Sequence, residues 1–219
     1  MYPLPQAVIF DLDGTLLNTI DDLADSCNHV LTERGLPTHA TKDYLYFVGN
    51  GIRTLAQRIL PETSRDAAQI DDCMNRIACH YEQNWHTKTT IYPEITALLA
   101  SLQEQGITLN VLSNKNERTV QNMVHHYFGD VPFRYIFGAV NSFKKKPDPA
   151  RALHLAGKLG LDPDKIMFIG DSKVDMQTAE NAGMVGVGVT WGFRLKQELM
   201  AHGCKICIDS PMDLWKEMA

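Results

Sequence analysis

Hydrophobic residues fall along this chain in two rhythms. Residues 7–10 are a short unbroken apolar run, and similar runs recur at 107–112, 166–169 and 185–189, with weaker ones at 135–137 and 205–208. Runs that are apolar throughout, rather than alternating, predict strands buried on both faces, as in a parallel sheet. Between them the spacing becomes helical. Ile95, Leu98, Leu99 and Leu102 follow one helix face behind Pro93, with Gly106 as the stop, and residues 150–159 form another such segment. There Asp148 is the expected N-cap, Pro149 the first turn and Gly160 the stop. Strand followed by helix, repeatedly, predicts an α/β fold with a doubly wound, Rossmann-like parallel sheet.

One stretch breaks the alternation. From Leu16 to about His86 the periodicity is helical only, with no strand-like run. Ile20, Leu23, Ala24, Cys27, Val30 and Leu31 make one apolar face, with Thr19 as its cap and Gly35 as its stop. Ile52, Leu55, Ala56, Ile59 and Leu60 make a second, and Ile70, Met74, Ile77, Ala78 and Tyr81 a third. The expectation is a small α-helical domain, 16–87, inserted into an α/β core made of 1–15 and 88–219.

Composition narrows the partners. With 44% hydrophobic and 21% charged residues the 219-residue chain is of ordinary globular type. A net charge of −5 offers no basic footprint, so nucleic acid is not an expected partner. No apolar run approaches a membrane span and no signal segment opens the chain, so the expectation is a cytoplasmic protein without a membrane partner. The five cysteines include one pair at short spacing, Cys204 and Cys207, with no second pair to complete a zinc site; reduced thiols are the simpler reading.

In open α/β sheets ligands bind beyond the carboxyl ends of the strands. Reading those positions in turn yields Asp11, Asp13, Gly14 and Thr15, then Ser113 and Asn114, then Lys146 and Pro147 in a loop, then Gly170, Asp171, Ser172 and Asp175. The four carboxylates repel: at an effective dielectric near 20, two charges about 4 Å apart cost about 4 kcal/mol. They call for a cation, and an all-oxygen set suits Mg2+ better than zinc. Asp11 and Asp171 are the candidate carboxylate ligands, with the main-chain carbonyl of Asp13 as a further one. Asp175, about one helical turn beyond Asp171, is either a ligand or a support. Lys146 supplies positive charge for a phosphate dianion, Ser113 and Asn114 supply donors, and main-chain N–H groups around Leu12 to Gly14 form a candidate cradle. Phosphoryl transfer needs little beyond such positioning and charge stabilisation.

These residues also carry a resemblance. DLDGTL, the strand ending in VLSNK, the loop KKKPDP and the run FIGDSKVDM resemble, in order, the four motifs of the haloacid dehalogenase superfamily of hydrolases. The resemblance implies that Asp11 is the nucleophile, Asp13 the general acid/base, Ser113 and Lys146 the phosphate clamps and Asp171 the metal ligand. An Asp two residues after the nucleophile is similar to the phosphotransferase branch. The helical insert is similar to the cap of this superfamily, which closes over the crevice and selects substrate. Within it Val48, Gly49, Asn50 and Gly51 resemble the corresponding segment of phosphoglycolate phosphatases, as does the run 189–193, VTWGF. Two glycines opening a helix expose N–H groups suited to a small carboxylate, and Arg53 would assist. The plain alternative is that Gly49 and Gly51 punctuate a turn and Arg53 is a solvated arginine. The sequence departs from common patterns at Asn18, where relatives often carry Asp, and at Ser113, where many carry Thr.

The function implied is hydrolysis of a small phosphorylated metabolite, 2-phosphoglycolate first, by a monomer or homodimer. The rival on the same scaffold is a β-phosphoglucomutase-like phosphosugar mutase or a pyrophosphatase. A rival of another class is a phospho-accepting regulatory domain, which would need no helical insert of this size.

Overall fold

The computed structural model describes residues 1–218 and divides the chain into two compact units, 1–17 with 91–219 and 18–90. In chain order the elements are β1 (Ala7–Phe10), β2 (Leu17–Asn18), α1 (Ile20–Glu33), α2 (Thr41–Phe47), α3 (Ile52–Ile59), α4 (Ala67–Asn84), β3 (Thr90–Ile91), α5 (Ile95–Glu104) and β4 (Thr108–Asn116). There follow α6 (Glu117–Phe128), β5 (Tyr135–Ala139), α7 (Ala150–Leu159), β6 (Ile166–Gly170), α8 (Lys173–Ala182), β7 (Val185–Val189), α9 (Lys196–Met200), β8 (Ile206–Ile208) and α10 (Leu214–Glu217). No helix among the described residues is long and apolar enough to cross a membrane.

The first unit is built on a six-stranded parallel sheet ordered β5-β4-β1-β6-β7-β8. All four residues of β1 are fully buried, as a central strand covered on both faces requires. One layer of the core packs Ala7, Ile9 and Phe168 from the sheet against Leu155 and Ala156 of α7 and Ala179 and Ala182 of α8. Each fully buried side chain of Leu or Phe size contributes about 1.5–3 kcal/mol, enough to hold the strand ends in fixed register. The chain crosses from β1 to β4 on one side and later returns to β6 on the other, so the strand order reverses beside β1. That switch point is where an open sheet leaves room for a ligand.

Glu117, opening α6, accepts hydrogen bonds from the Gly138 N–H (3.2 Å) and from the Arg151 guanidinium, joining β5, α6 and α7. Arg151 lies over the rings of Phe137 and Phe143, at 4.1 and 4.7 Å to their centroids. These contacts brace both ends of the loop 140–149, which carries Lys146.

The second unit is a helical bundle in which α4 packs on α1 and α3. Buried Asp22 of α1 anchors the outgoing chain: its carboxylate accepts from the Lys88 N–H, the Thr89 N–H (2.9 Å) and the Thr89 hydroxyl (2.8 Å). Three sequence expectations need correction here. The stretch expected to be helical throughout contains β2, which pairs with β3, and the boundaries between the units fall inside these two strands. Two-residue strands leave no periodic signal. Thr19 stands at the N-cap of α1 without capping through its hydroxyl, and Asp148 lies one residue before the N-cap Pro149 of α7, although its carboxylate does accept the Ala150 N–H at 3.0 Å.

Candidate active site

β1 delivers Asp11 one residue beyond its last paired position, and the Asp11 N–H still donates to Ile169 of β6 at 2.9 Å. The chain then folds tightly: the N–H groups of Leu16 and Leu17 both donate to the Leu12 carbonyl, and the Gly14 N–H donates to the Leu17 carbonyl. The Leu12 N–H donates to Asp11 Oδ1 at 2.8 Å. Of the N–H groups expected to cradle phosphate, that of Leu12 meets the Asp11 carboxylate and that of Gly14 is taken up by the turn. Gly14 has φ +87°, and a Cβ there would collide with the Asp171 carboxylate, so only glycine lets these two loops meet.

Lys146 is the hub. Its ammonium lies 2.9 Å from Asp11 Oδ1, 2.7 Å from Asp175 Oδ1 and 2.9 Å from the Leu112 carbonyl, matching its three donors. Burial alone would lower its pKa, but the Asp11 and Asp175 carboxylates outweigh burial and hold it above the ordinary lysine value. Its neighbours Lys144 and Lys145 are exposed, as a solvated charge run should be. Asn114 departs from expectation. Its Nδ2 donates to the Lys146 carbonyl (3.0 Å) and its Oδ1 accepts the Lys146 N–H (2.8 Å), so its amide clamps the lysine's main chain instead of reaching toward a phosphate. The Lys146–Pro147 peptide between these contacts and α7 is cis.

β6 delivers Asp171, and α8 begins two residues later, so Asp171 and Asp175 do not share a helix face as the spacing suggests. Asp175, fully buried, accepts from Lys146 on Oδ1 and from the Ser172 N–H (3.1 Å) and hydroxyl (2.6 Å) on Oδ2. Both of its oxygens are thus engaged by protein donors. Asp171 Oδ2 accepts the Phe193 N–H at 2.7 Å, and the Trp191 indole donates to the Thr15 carbonyl at 3.0 Å. The run 189–193 thus ties the loop after β7 to the loops after β1 and β6. A Cβ on Gly192 would collide with the Gly14 carbonyl.

Carboxylate oxygens of Asp11, Asp171 and Asp175 lie within 4.8 Å of one another. Burial raises the Asp11 carboxyl to about 7, with repulsion from Asp175 adding to the shift and Lys146 opposing it. Burial first, then Asp175 and Asp11, also raise Asp171 well above the ordinary carboxylate value. Three carboxylates against one ammonium leave excess negative charge in a buried place, and a hard divalent cation is the partner such a set fits.

Asp13, two residues beyond Asp11, pairs with a residue that sequence reasoning missed: Lys115 Nζ lies 2.6 Å from Asp13 Oδ1. The apolar run of the sequence stops at Leu112, yet β4 continues through Asn116 and so includes Ser113 and Lys115. Extended backbone sends residues two apart to the same side, and that alternation is the signal that could have paired Lys115 with Ser113. Ser113 is buried, and its Oγ accepts the Lys115 N–H at 3.3 Å.

The helical unit places the remaining candidates. Gly49 and Gly51 both have positive φ (108° and 85°), and Gly51 is the N-cap of α3. Asn50 Oδ1 accepts from Arg58 Nη2 at 2.9 Å, and Arg58 Nη1 donates to the Phe47 carbonyl at 2.8 Å, so Arg58 pins this segment. Arg53 is drawn into an exposed ion pair with Asp71 at 2.9 Å. That placement agrees with the solvated arginine rather than with a ligand-facing one. All five cysteines are free thiols.

The model of the haloacid dehalogenase-like hydrolases matches residues 8–189. A phosphoglycolate phosphatase of Pseudomonas putida is 34% identical over 211 residues, covering 94% of this chain and 77% of its own. That of Mannheimia succiniciproducens is 36% identical over 190 residues, covering 84% and 85%. The crystal structure of a predicted phosphoglycolate phosphatase from Haemophilus somnus superposes with a TM-score of 0.87 at 30% identity over 97% of both chains. With the acidic cluster, its lysine hub and these matches together, the chain belongs to the haloacid dehalogenase-like hydrolase family, and it is a phosphoric monoester hydrolase.

Proposed function

We propose that the protein hydrolyses 2-phosphoglycolate to glycolate and phosphate through an aspartyl-phosphate on Asp11. The observation that carries the reading is Asp11 at a strand end, 2.9 Å from buried Lys146, with Asp13 two residues on, in a chain whose relatives bear that enzyme's name. In the first step an Asp11 carboxylate oxygen attacks phosphorus, the ester P–O bond breaks, and Asp13 gives its proton to the departing glycolate oxygen. In the second, Asp13 takes a proton from water, the water oxygen attacks the same phosphorus, and the bond to Asp11 breaks to release phosphate. Lys146 screens charge between Asp11 and Asp175, and the Ser113 hydroxyl donates toward the phosphoryl oxygens.

Asp11, Asp171 and the main-chain carbonyl of Asp13 would hold Mg2+, with Asp175 behind them; when bound, the ion offsets charge on the transferring phosphoryl group. The substrate is a small phosphorylated metabolite met in the cytoplasm, with neither nucleic acid nor membrane as partner, by a monomer or homodimer.

A substrate panel tests the assignment. 2-Phosphoglycolate is expected to show a higher kcat/KM than sugar phosphates, pyrophosphate or bisphosphates; equal or lower turnover rejects it. Asp11→Asn is expected to lose activity by on the order of 10^5-fold. Asp13→Ala, after exposure to substrate, is expected to carry phosphate on Asp11 in intact-mass spectra; its absence would argue against the covalent route.

A further inference from the structure

We infer that Lys115 is a positioning residue that holds the Asp13 carboxyl group where it can pass its proton to the leaving oxygen. This rests on the proposed role of Asp13 as acid/base but not on the identity of the ester.

Lys115 Nζ donates to Asp13 Oδ1 at 2.6 Å, and the two side chains are only 11% and 19% exposed, so the contact is largely shielded from solvent. The lysine stem is itself fixed. It lies in β4 next to the paired residue Asn116, its N–H donates to Ser113 Oγ at 3.3 Å, and its ammonium also approaches the Sδ of fully buried Met123 in α6 at 3.6 Å. A short carboxylate on a loop, held by an ammonium anchored to a strand and a helix, loses the rotational freedom that an exposed aspartate keeps. Lys146 engages the nucleophile Asp11 and Asp175, and Lys115 engages Asp13.

The consequence is a dependence on the leaving group that a structural or general electrostatic role lacks. When an alkyl ester bond breaks, the departing alkoxide takes the proton from Asp13. When p-nitrophenyl phosphate reacts, nitrophenolate departs with the bonding electrons and needs no proton. The test compares kcat/KM, which reports the first displacement, for Lys115→Met and Lys115→Arg on p-nitrophenyl phosphate, on ethyl phosphate and on 2-phosphoglycolate, with thermal melts as a control for folding. Lys115→Met is expected to lose tenfold or more on both alkyl esters while staying within twofold of wild type on the aryl ester, and Lys115→Arg is expected to return the alkyl rates toward wild type. Equal losses on all three esters overturn the inference, since they mark uniform charge attraction or a structural effect. A loss confined to 2-phosphoglycolate also overturns it, because Lys115 would then be binding the substrate carboxylate. No loss on any ester overturns it as well. If wild type ignores 2-phosphoglycolate yet the alkyl-versus-aryl pattern holds, the substrate assignment fails and the role of Lys115 stands.

Discussion

At the scale of single residues, the site is organised by charge imbalance. Asp11, Asp171 and Asp175 crowd one place, and Lys146 answers only part of their charge. Folding therefore costs something at these positions whenever they are ionised without a cation. The sign follows from the pKa: the Asp11 carboxyl, ordinarily 3.8, is raised to about 7 in the fold, so the folded state holds a proton that the unfolded chain has released. Stability of the metal-free protein is expected to fall as pH rises across that window and to level off above it. Mg2+ competes with that proton, so the stabilisation it gives should grow over the same range. Asp171→Asn keeps an acceptor for the Phe193 N–H but removes one charge. In chelator it should melt a few degrees above wild type near neutral pH, with a shallower pH dependence and no response to Mg2+. Melting curves from pH 4 to 8, with and without Mg2+, read all of these; a variant that melts lower in chelator would contradict the repulsion account.

At the scale of elements, short contacts fix where strands end and where loops meet. Asn114 and Lys146 exchange two hydrogen bonds across 32 residues, which sets the height of the lysine above β4. In the helical unit Asp22 acts in a similar way, gathering main-chain N–H groups of Lys88 and Thr89 and the Thr89 hydroxyl in a buried place. Asp22→Ala strands those donors away from water, and each buried donor left without a partner costs about 1–3 kcal/mol. The expected loss is about 3 kcal/mol, read as a lower urea midpoint; a change under about 0.5 kcal/mol would show that the anchor is replaceable.

The helices are legible in the sequence because their apolar faces repeat. Residues 20–31 and 70–81 fall within α1 and α4, 52–59 form α3 with Leu60 as its C-cap, and each of the six apolar runs overlaps one strand of the sheet. Helix α2 (Thr41–Phe47) is not, because it has one buried residue, Tyr44, and so no repeating stripe. Strands β2 and β3 are equally silent, since two residues contain no period.

At the scale of the whole molecule, every carboxylate proposed to meet the metal belongs to the unit of 1–17 and 91–219. Mg2+ is accordingly expected to protect amides around 11–17, 170–175 and 191–193 from hydrogen exchange, leaving the helical unit, 18–90, close to its metal-free rates. Exchange mass spectrometry reads this segment by segment, and equal protection of both units would place the coupling elsewhere.

What the amino-acid sequence determined by itself was the set of groups and the scaffold class. Apolar periodicity depends on neighbours a few residues away, so strands and helices, and hence a parallel sheet with Asp11, Asp13, Ser113, Lys146 and Asp171 at its strand ends or in the loops beyond them, could be read from it. Which atoms of those groups meet was decided only in three dimensions. Lys115 on Asp13, Phe193 on Asp171, Asn114 on the backbone of Lys146 and Arg53 on Asp71 join residues 18 to 102 positions apart. Hydrogen bonds are directional and hold to within a few tenths of an ångström. Strand register and loop course set distances that fine, and no local pattern of residues encodes them.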